Sequence, residues 1–498
     1  METEVVIIGG GIMGVMLARE LSRYKVDAVL VDRHPDVGFG TSKSSHGTIY
    51  SGLTYLVSKS LKAIATSGGG NEAHFEKDRL CHDGYEMWEG ILRELDVPYC
   101  RRGDTVIARN EEELSRLKLM QRAAKPEWNF RLLNREELFS LEPHVTPEAI
   151  AGLHDADHVL TCYPWDIVIA VAENARENGV KFFLDAEVRG FSRSNGFTVV
   201  ETTRGPIKTE FVINATGPWG ADVAKLADAC DFELKFFKGH TLITDKRAGD
   251  LVNNSVHWPP TPGTSKVIQP TLSGTLRLGS IYRPTEDKDD DATDAEDIET
   301  VFQRAHDLVP ALSRNDIITC FTGMRVFSAR DPEEYIMEYA PHNKKFLNVI
   351  LRLPGFTPAP AVAGKVLAML EEAGLKLRKK EDFNPYRKRI PIFRELSDEE
   401  RNRLIAQDPK WGHVVCRCET VTEAEILEAI RRGATTLDGI KFRTRAGMGR
   451  CQSGFCGPRV VEILAKTLGI APTQVSKKGG NSRIVLQEGK ELLREKGV

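Results

Sequence analysis

Residues 5–14 read Val5-Val6-Ile7-Ile8-Gly9-Gly10-Gly11-Ile12-Met13-Gly14, and this stretch decides how the chain begins to fold. An uninterrupted apolar run before a turn is typical of a parallel strand buried on both faces. Apolar side chains then recur at helical spacing over roughly 12–23, and residues 28–31 form a second apolar run. The segment therefore predicts a strand, a glycine-rich turn, a helix and a second strand, which together make a βαβ unit.

The three glycines of this turn have different physical tasks. Gly9 permits the tight turn, Gly11 lets the backbone approach a pyrophosphate, and Gly14 lets the helix pack against the strand. Asp32 follows the second strand, where its carboxylate would accept a hydrogen bond from a ribose hydroxyl and repel a 2′-phosphate. The pattern predicts a dinucleotide site that disfavours NADP, but it does not separate FAD from NAD. Since no second copy of the motif occurs, we expect one dinucleotide, reduced by the substrate.

Length and composition limit the possible functions. The chain has 498 residues, 41% of them hydrophobic and 28% charged, with a formal net charge of −3. This length predicts about three domains, and the near-neutral charge does not suggest a nucleic-acid partner. The apolar run 5–17 is shorter than the roughly 20 residues of a membrane span, and Glu2 and Glu4 precede it. We expect neither a transmembrane segment nor a signal peptide, and a cytoplasmic location.

Nine cysteines are present, and four of them form two close pairs late in the chain. The pairs are Cys416-x-Cys418 and Cys451-x4-Cys456, separated by 32 residues. Four thiolates suit either a zinc ion or an iron–sulfur cluster, and the first spacing fits zinc less well. The other five cysteines are scattered singly, which is typical of small buried side chains in a reducing compartment: Cys81, Cys100, Cys162, Cys230 and Cys320.

Coarse periodicity predicts the remaining elements. An acidic run over 287–291 is expected to be a solvated loop, and Thr422-x-x-Glu425 is a possible capping box for a helix that ends by Gly433. The other predictions are a helix over 167–178, strands over 181–184, 197–201, 210–215, 240–244 and 275–278, a strand–loop–helix unit over 346–370 and a helix over 459–468.

Several motifs downstream of the glycine turn carry a family resemblance. They are Thr41-Ser42-Lys43-Ser44-Ser45-His46-Gly47, Tyr50-Ser51-Gly52, Asn214-Ala215-Thr216-Gly217-Pro218-Trp219, Gly323-Met324-Arg325 and Arg352-Leu353-Pro354-Gly355-Phe356-Thr357. In this order they resemble the D-amino-acid-oxidase-like flavoprotein superfamily, above all the branches of L-2-hydroxyglutarate dehydrogenase and of the anaerobic glycerol-3-phosphate dehydrogenase catalytic subunit. The resemblance covers essentially the whole chain and implies FAD.

The glycine turn and the resemblance together imply a set of FAD contacts. The set is Gly9, Gly11, Ile12, Met13, Gly14, Asp32, Arg33, Thr41, Ser42, Ser45, His46, Gly47, Val188, Ala215, Thr216, Gly217, Trp219, Arg325, Gly355, Phe356 and Thr357.

The cysteine segment has a resemblance of its own. Val415-Cys416-Arg417-Cys418-Glu419, with residues 449–458 around the second pair, resembles the bacterioferritin-associated-ferredoxin type of 2Fe–2S domain. This implies a 2Fe–2S cluster on Cys416, Cys418, Cys451 and Cys456 that passes electrons from the flavin to an acceptor protein or a further redox subunit. Lys441, Arg443, Arg445 and Arg450 form either a docking face for an acidic partner or a solvated face.

The expected architecture is α/β. It comprises a Rossmann-like FAD-binding domain, an interleaved α+β substrate domain and a small helical C-terminal iron–sulfur domain. The expected boundaries are 1–90, 145–230 and 320–374 for the FAD-binding domain, 91–144 and 231–319 for the substrate domain, 375–411 for a charged connector, 412–470 for the 2Fe–2S domain and 471–498 for a tail.

The substrate implied by the resemblance is a small organic anion, glycerol 3-phosphate or a similar 2-hydroxy acid. Arginine suits such an anion, and Arg325 and Arg352 are the candidates by motif position. The related branches often carry a histidine where this chain has Tyr50, whose usual pKa near 10 makes it a poor base but which is a candidate to orient the substrate hydroxyl. His46 and His240 are therefore the other candidates for the hydroxyl proton.

Two other functions stay open at this point. Loss of the family histidine suits an amine or amino-acid dehydrogenase of the same superfamily, which needs no base for an alcohol. A non-catalytic electron-relay subunit is the third hypothesis, against which the intact glycine turn and Asp32 argue.

Overall fold

A computed structural model describes residues 1–57, 72–124, 128–259, 264–487 and 489–490 of the chain. Its helices are α1, Ile12–Leu21; α2, Gly52–Val57; α3, Glu72–Glu94; α4, Glu111–Arg122; α5, Arg135–Leu141; α6, Pro164–Glu177; α7, Gly220–Leu226; α8, Ala295–Leu308; α9, Ala359–Glu372; α10, Asp398–Gln407; α11, Glu423–Arg431; α12, Leu437–Thr444; and α13, Gly457–Leu468.

Strands are distributed over two large sheets and one small one. They are β1, Glu2–Ile8; β2, Ala28–Val31; β3, Thr48–Tyr50; β4, Cys100–Ala108; β5, Arg131–Asn134; β6, Ala151–Thr161; β7, Lys181–Phe183; β8, Val188–Ser194; β9, Phe197–Thr202; β10, Ile207–Asn214; β11, Leu234–Thr244; β12, Ser255–His257; β13, Thr264–Pro270; β14, Leu276–Thr285; β15, Ile317–Ser328; β16, Ile336–Ala340; β17, Asn343–Ile350; β18, Val414–Cys416; and β19, Val421–Thr422.

The first large sheet contains the predicted βαβ unit and confirms the α/β fold class. Its main strand order is β16-β17-β10-β1-β2-β7, and β1 pairs in parallel with both β2 and β10. Residues 5–8 of β1 are all buried: Val5 and Ile7 belong to the apolar cluster of α1 and α6, and Val6 and Ile8 belong to a second cluster with α7, β8 and β9. Helix α1 packs against α6 and α9 on one face of the sheet. The carboxyl ends of β1, β2 and β10 therefore meet at one edge.

The second large sheet has nine strands, with the main order β15-β11-β14-β13-β12-β4-β6-β3 and β5 paired to β6. Helix α8 packs against β11 and β14 and buries its apolar face there. The expected domain boundaries placed β3, β6 and most of β15 in the FAD-binding segments, whereas the structure pairs these strands within the second sheet. Sheet membership depends on hydrogen-bond partners that lie far away in sequence, so local patterns misplaced them.

The cysteine segment folds as a small helical module with its own apolar core. Strands β18 and β19 form a short hairpin, and α11 begins with the predicted capping box, in which the Thr422 side chain accepts from the Glu425 N–H. Helix α13 begins two residues earlier than predicted, and α12 is an addition that sequence patterns did not indicate. The connector also contains helix α10, which was not predicted.

Ion pairs and aromatic rings hold this module against the first sheet. Arg443 pairs with Asp36, and both side chains are 5% exposed. Phe442 stacks on Trp165 with ring centroids 5.6 Å apart. Arg445 pairs with the buried Glu419 at 2.8 Å. Arg443 and Arg445 are thus interior residues, which contradicts their predicted place on an exposed face, whereas Arg450 of the same set is exposed.

The acidic run over 287–291 is a solvated loop, as predicted, and its exposed carboxylates also pair with distant cations. Asp289 pairs with Arg33 at 3.1 Å, and Asp291 pairs with Lys478 of the C-terminal tail at 2.9 Å. Opposite charges from distant segments converge there, so the loop forms one wall of a cleft between the sheets and the cysteine module.

Candidate active site

The turn after β1 leaves no room for a side chain at two of its glycines. Gly9 has φ +107°, and a Cβ at this residue would lie 2.6 Å from the carbonyl oxygen of Ala215. A Cβ at Gly14 would lie 1.8 Å from the carbonyl oxygen of Gly9. Both contacts are with backbone, which cannot move aside. The close packing of β1, α1 and β10 therefore requires these glycines.

Asp32 lies directly after β2, at the edge where the strands end. Its Oδ2 accepts from the Gly10 N–H at 2.6 Å, and its Oδ1 accepts from the His34 N–H at 2.7 Å. These bonds orient the carboxylate at the wall of a cavity that begins at the glycine turn. A ribose hydroxyl can donate to such an oriented carboxylate.

This cavity collects most of the predicted FAD contacts. The predicted residues that line it are Gly9, Gly11, Ile12, Met13, Asp32, Arg33, Thr41, Ser42, Ser45, Val188, Ala215, Thr216, Gly217, Trp219, Arg325, Gly355 and Phe356. His46 and Gly47 line the neighbouring cleft instead. Gly14 acts through helix packing, and the buried Thr357 accepts from the Tyr50 N–H through Oγ1 at 3.3 Å.

Unsatisfied polar atoms and apolar walls make the cavity suitable for FAD. Thr41 Oγ1 and Arg325 Nε are buried and have no hydrogen-bond partner among the described residues. Buried polar groups normally have partners, so unpartnered ones at a cavity indicate a polar ligand. Ile12, Val188 and Phe356 supply apolar surface beside them. The residues present thus fit a dinucleotide with a planar ring system.

The Thr41–Ser44 turn connects the nucleotide cavity to the second sheet. Ser42 Oγ accepts from the Ile12 N–H at 2.9 Å, which ties this turn to the start of α1. On the other side, a Cβ at Gly323 would lie 2.5 Å from Ser44 Oγ. Gly323 therefore lets strand β15 approach the turn and brings Arg325 to the cavity.

Two buried arginines form the most distinctive feature of the site. Arg325 and Arg277 are each 6% exposed, and Nε of each guanidinium has no hydrogen-bond partner among the described residues. Burial first, and then the charge of Arg325, lower the pKa of Arg277 to about 10, so it still carries its charge at neutral pH. Two buried cations without a pairing carboxylate in the described part of the chain attract an anion. Arg277 was missed by the sequence analysis because no motif surrounds it.

Tyr282 lies beside these arginines because of an irregularity in β14. Tyr282 pairs with Gly239 of β11, whereas Gly279 pairs with Thr241, so β14 has one extra residue between them. Such a bulge redirects the side chains that follow it. Burial opposes ionisation of Tyr282, but the charge of Arg325, followed by a hydrogen bond from Ser280, lowers the pKa of Tyr282 below its ordinary value.

His46 lines the neighbouring cleft with its ring held in one orientation. Its Nδ1 accepts from the Thr48 N–H at 3.2 Å, so the neutral ring carries its hydrogen on Nε2. Burial first, and then the charges of Arg277 and Arg325, lower the pKa of His46 well below its usual value. The ring is therefore a neutral hydrogen-bond donor at neutral pH.

Burial limits the chemistry open to Tyr50, and an ion pair limits that of Arg352. Tyr50 is 3% exposed, and burial raises the pKa of its phenol further, so it cannot serve as a base at neutral pH. Arg352 lines the nucleotide cavity but pairs with Glu333 at 2.6 Å, and Lys77 pairs with the same carboxylate. Because Arg352 shares a carboxylate partner, whereas Arg277 and Arg325 have none among the described residues, we rank Arg352 behind them as an anion ligand.

His240 lies away from both cavities, contrary to the expectation that it faces the flavin. The ring is fully buried, with Nε2 3.3 Å from Asp294 and Nδ1 3.5 Å from Asp297. The side chain points from β11 toward α8, so it stabilises the packing of that helix on the sheet. Alternation along β11 sends its neighbours Gly239 and Thr241 to the face that carries Tyr282 and Arg277.

The four predicted ligand cysteines converge in the C-terminal module. The Sγ atoms of Cys418 and Cys451 are 3.7 Å apart. A hydrogen bond from Cys456, opposed by burial and helped by the Gly447 N–H, lowers the pKa of Cys416 below its usual value. A Cβ at Gly449 would lie 2.3 Å from Cys418 Cβ, so the loop can wrap tightly only with glycine there. Four converging sulfurs with a backbone N–H aimed at one of them fit an iron–sulfur cluster.

A cleft of about 1240 Å³ connects the two cofactor sites. His46 and Arg277 line it on the side of the large sheets, and Gly447 and Cys456 line it on the side of the module. The residues that border both this cleft and the nucleotide cavity are Arg33, His34, Gly40, Thr41, Ser45, Glu187, Trp219 and Met324. Substrate and both cofactors can therefore meet in one connected space.

Comparison with known protein families agrees with this arrangement. Residues 4–370 match the FAD dependent oxidoreductase family, and residues 414–466 match the BFD-like 2Fe–2S binding domain. A glycerol 3-phosphate dehydrogenase of Caloramator mitchellensis is 35% identical over 97% of this chain and 98% of its own length. A glycerol 3-phosphate oxidase of Mycoplasma pneumoniae is 28% identical over 77% of this chain and 98% of its own.

Solved structures share the fold of the first 370 or so residues. The dithionite-reduced L-alpha-glycerophosphate oxidase from Mycoplasma pneumoniae with FAD bound has a TM-score of 0.69 and 24% identity, covering 78% of this chain and 98% of its own. Among the described helices, none has the length and apolar composition needed to cross a bilayer. The chain belongs to the family of FAD-dependent oxidoreductases and carries a C-terminal BFD-like 2Fe–2S binding domain.

Proposed function

We propose that this enzyme oxidises glycerol 3-phosphate at its secondary alcohol and passes the electrons through its 2Fe–2S cluster to an acceptor protein. The observation that carries the proposal is a pair of buried arginines without a carboxylate partner among the described residues, Arg277 at the wall of the cleft and Arg325 at the wall of the FAD cavity. A phosphate monoester carries close to two negative charges at neutral pH, and the two guanidinium groups match them. The relatives named above support the choice of substrate.

When bound, FAD would supply two-electron oxidation of the alcohol and the 2Fe–2S cluster would supply single-electron transfer. The protein binds and orients the substrate. Arg277 and Arg325 hold the phosphate, and His46 donates from Nε2 to the oxygen of the reacting alcohol. That hydrogen bond keeps the oxygen in place while the carbon approaches the flavin ring.

We assign the hydroxyl proton to Tyr282, which does not itself line either cavity but has its ring centroid 6.0 Å from the guanidinium of Arg325 at the cavity wall. Its phenolate is favoured by the adjacent Arg325, whereas Tyr50 is held in its protonated form by burial. A base whose pKa is shifted toward the working pH contributes most to proton transfer. Tyr282 thus has the role for which the family histidine was expected at Tyr50.

Charge at the site also separates this substrate from an amino acid. The groups that shift the pKa of His46 electrostatically are Arg277, Arg325 and His257, all of them cationic when charged. An amino acid would bring an ammonium group into this surrounding, where repulsion weakens its binding. The geometry therefore favours a dianionic alcohol over the alternative amino-acid substrate.

The test is anaerobic reduction of the purified yellow enzyme by a panel of glycerol 3-phosphate, small 2-hydroxy acids and amino acids, followed by flavin absorbance. We expect bleaching by glycerol 3-phosphate at the lowest concentration. Bleaching by an amino acid and by no alcohol would overturn the proposal in favour of the amine or amino-acid dehydrogenase. A reconstituted protein that binds no flavin would instead support the relay subunit.

A further inference from the structure

We infer that the outer face of the cysteine module is the docking surface for an acidic one-electron carrier protein. We call this surface the exit face and define it by Arg417, Cys418, Arg450, Phe455 and Arg459. The inference rests on the proposed function, since it identifies the chemistry of the acceptor that receives the electrons.

The cysteine site has an inner side and an outer side. Cys416 and Cys456 are each 1% exposed, and Cys456 borders the cleft that leads to the flavin cavity. Cys418, two residues after Cys416, is in contrast exposed to solvent. A cluster held by these ligands therefore has a protected side toward the flavin and an open side toward solvent. Electrons that arrive on the first side can leave by the second.

An exposed aromatic ring marks the open side. Phe455, directly before Cys456, is 72% exposed, and the guanidinium of Arg417 lies 5.8 Å from its ring centroid. Arg417 itself stands between Cys416 and Cys418, so both side chains belong to the loops that hold the cluster. An exposed phenylalanine loses the stabilisation that burial of its ring would give. Aromatic and arginine side chains are enriched at protein–protein interfaces, so this pair of side chains is typical of a surface that binds a partner.

The charge of this surface is positive. Arg417, Arg450 and Arg459 are exposed, and among the described residues Arg417 has no carboxylate partner. Arg450 reaches only a 3.5 Å contact with Asp245 and keeps 64% of its side chain exposed. The acid nearest to Arg417 in sequence, Glu419, is 1% exposed and pairs with Arg394, Arg445 and Lys246. The exposed Glu462 lies one helical turn from Arg459.

Charge complementarity therefore specifies the occupant. A negatively charged carrier would be attracted to the three exposed arginines and oriented with its own redox centre toward Cys418. Each encounter transfers one electron from the reduced cluster to the carrier, with no bond made or broken and no proton moved. Two encounters are needed for each alcohol that is oxidised.

The test uses the full-length enzyme with FAD and cluster bound and two purified electron acceptors, an acidic b-type cytochrome and the basic cytochrome c. The cluster is reduced with a stoichiometric amount of dithionite, and cytochrome reduction is followed by rapid mixing. We expect faster reduction of the acidic cytochrome, with a rate that falls as ionic strength rises. Arg417→Glu is expected to slow this transfer about tenfold, and Phe455→Ser to slow it as well.

Lys466→Glu is the matched control, because it reverses one exposed charge in the same module on α13, away from the cysteine loops. It should leave the transfer rate close to that of the unmodified enzyme. Absorbance of the cluster in each variant reports whether the module still holds it. The inference is overturned if Arg417→Glu and Lys466→Glu have equal effects, or if the basic cytochrome is reduced faster.

These measurements are independent of the substrate. Because dithionite replaces the alcohol as electron source, a wrong substrate assignment leaves the outcome at the exit face unchanged. Reduction of a small dye by glycerol 3-phosphate tests the proposed function separately, and Arg417→Glu should not alter it.

Discussion

The nucleotide cavity adjoins the proposed phosphate site of Arg277, Arg325 and His46, which we call the anion pocket. The two sites are built in opposite ways. The nucleotide cavity begins in one continuous strand–turn–helix segment, where Gly9, Gly14 and Asp32 meet within a stretch of about thirty residues. The anion pocket combines Arg277 of β14 with Arg325 of β15 and His46 of an N-terminal loop. Local backbone geometry determines the first site, whereas long-range strand pairing determines the second.

This difference teaches where each site tolerates change. A backbone clash in the nucleotide turn has no way to relax, since both sides of the contact are main chain. In the anion pocket, single side chains supply charge from independent strands, so a substitution removes one interaction and leaves the fold intact. We expect fold-level effects at the first site and graded kinetic effects at the second.

The largest expected effect is that of Gly14→Val. Its Cβ would lie 1.8 Å from the Gly9 carbonyl oxygen, so α1 must move away from β1. We expect loss of bound FAD and a decrease of about 3 kcal/mol in the free energy of unfolding. Flavin content and denaturant unfolding measure both. Gly364→Ala, whose added Cβ meets nothing within 4 Å, is the control, and equal flavin loss in both variants would contradict the account.

Arg443→Met tests the ion pair with Asp36 that holds the cysteine module, which lines one side of the cleft, against the first sheet. It leaves the buried Asp36 carboxylate without its partner, which we expect to cost about 3 kcal/mol of folding free energy. Arg314→Met breaks an exposed pair with Glu299 and should cost less than about 1 kcal/mol. Urea unfolding of both variants provides the comparison. Similar losses of unfolding free energy in the two variants would show that the buried Arg443–Asp36 pair stabilises the protein no more than the exposed Arg314–Glu299 pair.

Tyr282→Phe removes the proposed proton acceptor and should lower kcat about 100-fold. Because the pKa of Tyr282 is lowered and the phenolate is the active form, kcat of the unmodified enzyme should rise with pH and level off below the ordinary value near 10. Tyr282→Phe should lose this rise. His46→Gln should lower kcat but keep the rise, since His46 donates and does not accept the proton. A Tyr282→Phe enzyme with an unchanged pH profile would rule out the assignment.

Arg277→Met gives the smallest of these effects. Loss of one charge-assisted contact to phosphate should lower kcat/KM for glycerol 3-phosphate about 30-fold. Activity with glycerol, which has no phosphate, should be unaffected by the same change. Arg352→Met should have a smaller effect on the phosphorylated substrate, because the Arg352 guanidinium already pairs with Glu333. An equal loss with both alcohols would mean that Arg277 supports the fold and not the phosphate.

Much of the fold could be predicted because its signals are local. The strand at residues 5–8, the glycine turn, the cysteine pairs and the Thr422 capping box all depend on side chains a few residues apart. The assignment of β3, β6 and β15 to the second sheet could not be predicted, because each of these strands pairs with a strand far away in the sequence. The roles predicted for Tyr50 and His240 depended on the same missing information.

By itself, the sequence determined that the chain binds a dinucleotide at its N-terminus and a metal centre on four cysteines, because glycine sterics and thiolate chemistry operate over short distances. Only the tertiary structure decided which side chains gather around the two buried arginines. The extra residue in β14 turns Tyr282 toward Arg325, and the pairing of β11 with β14 and β15 brings Arg277 to the same face. It also decided that Arg443 and Arg445 are interior while Arg417 is exposed, because burial depends on how whole domains pack and not on the identity of the residue.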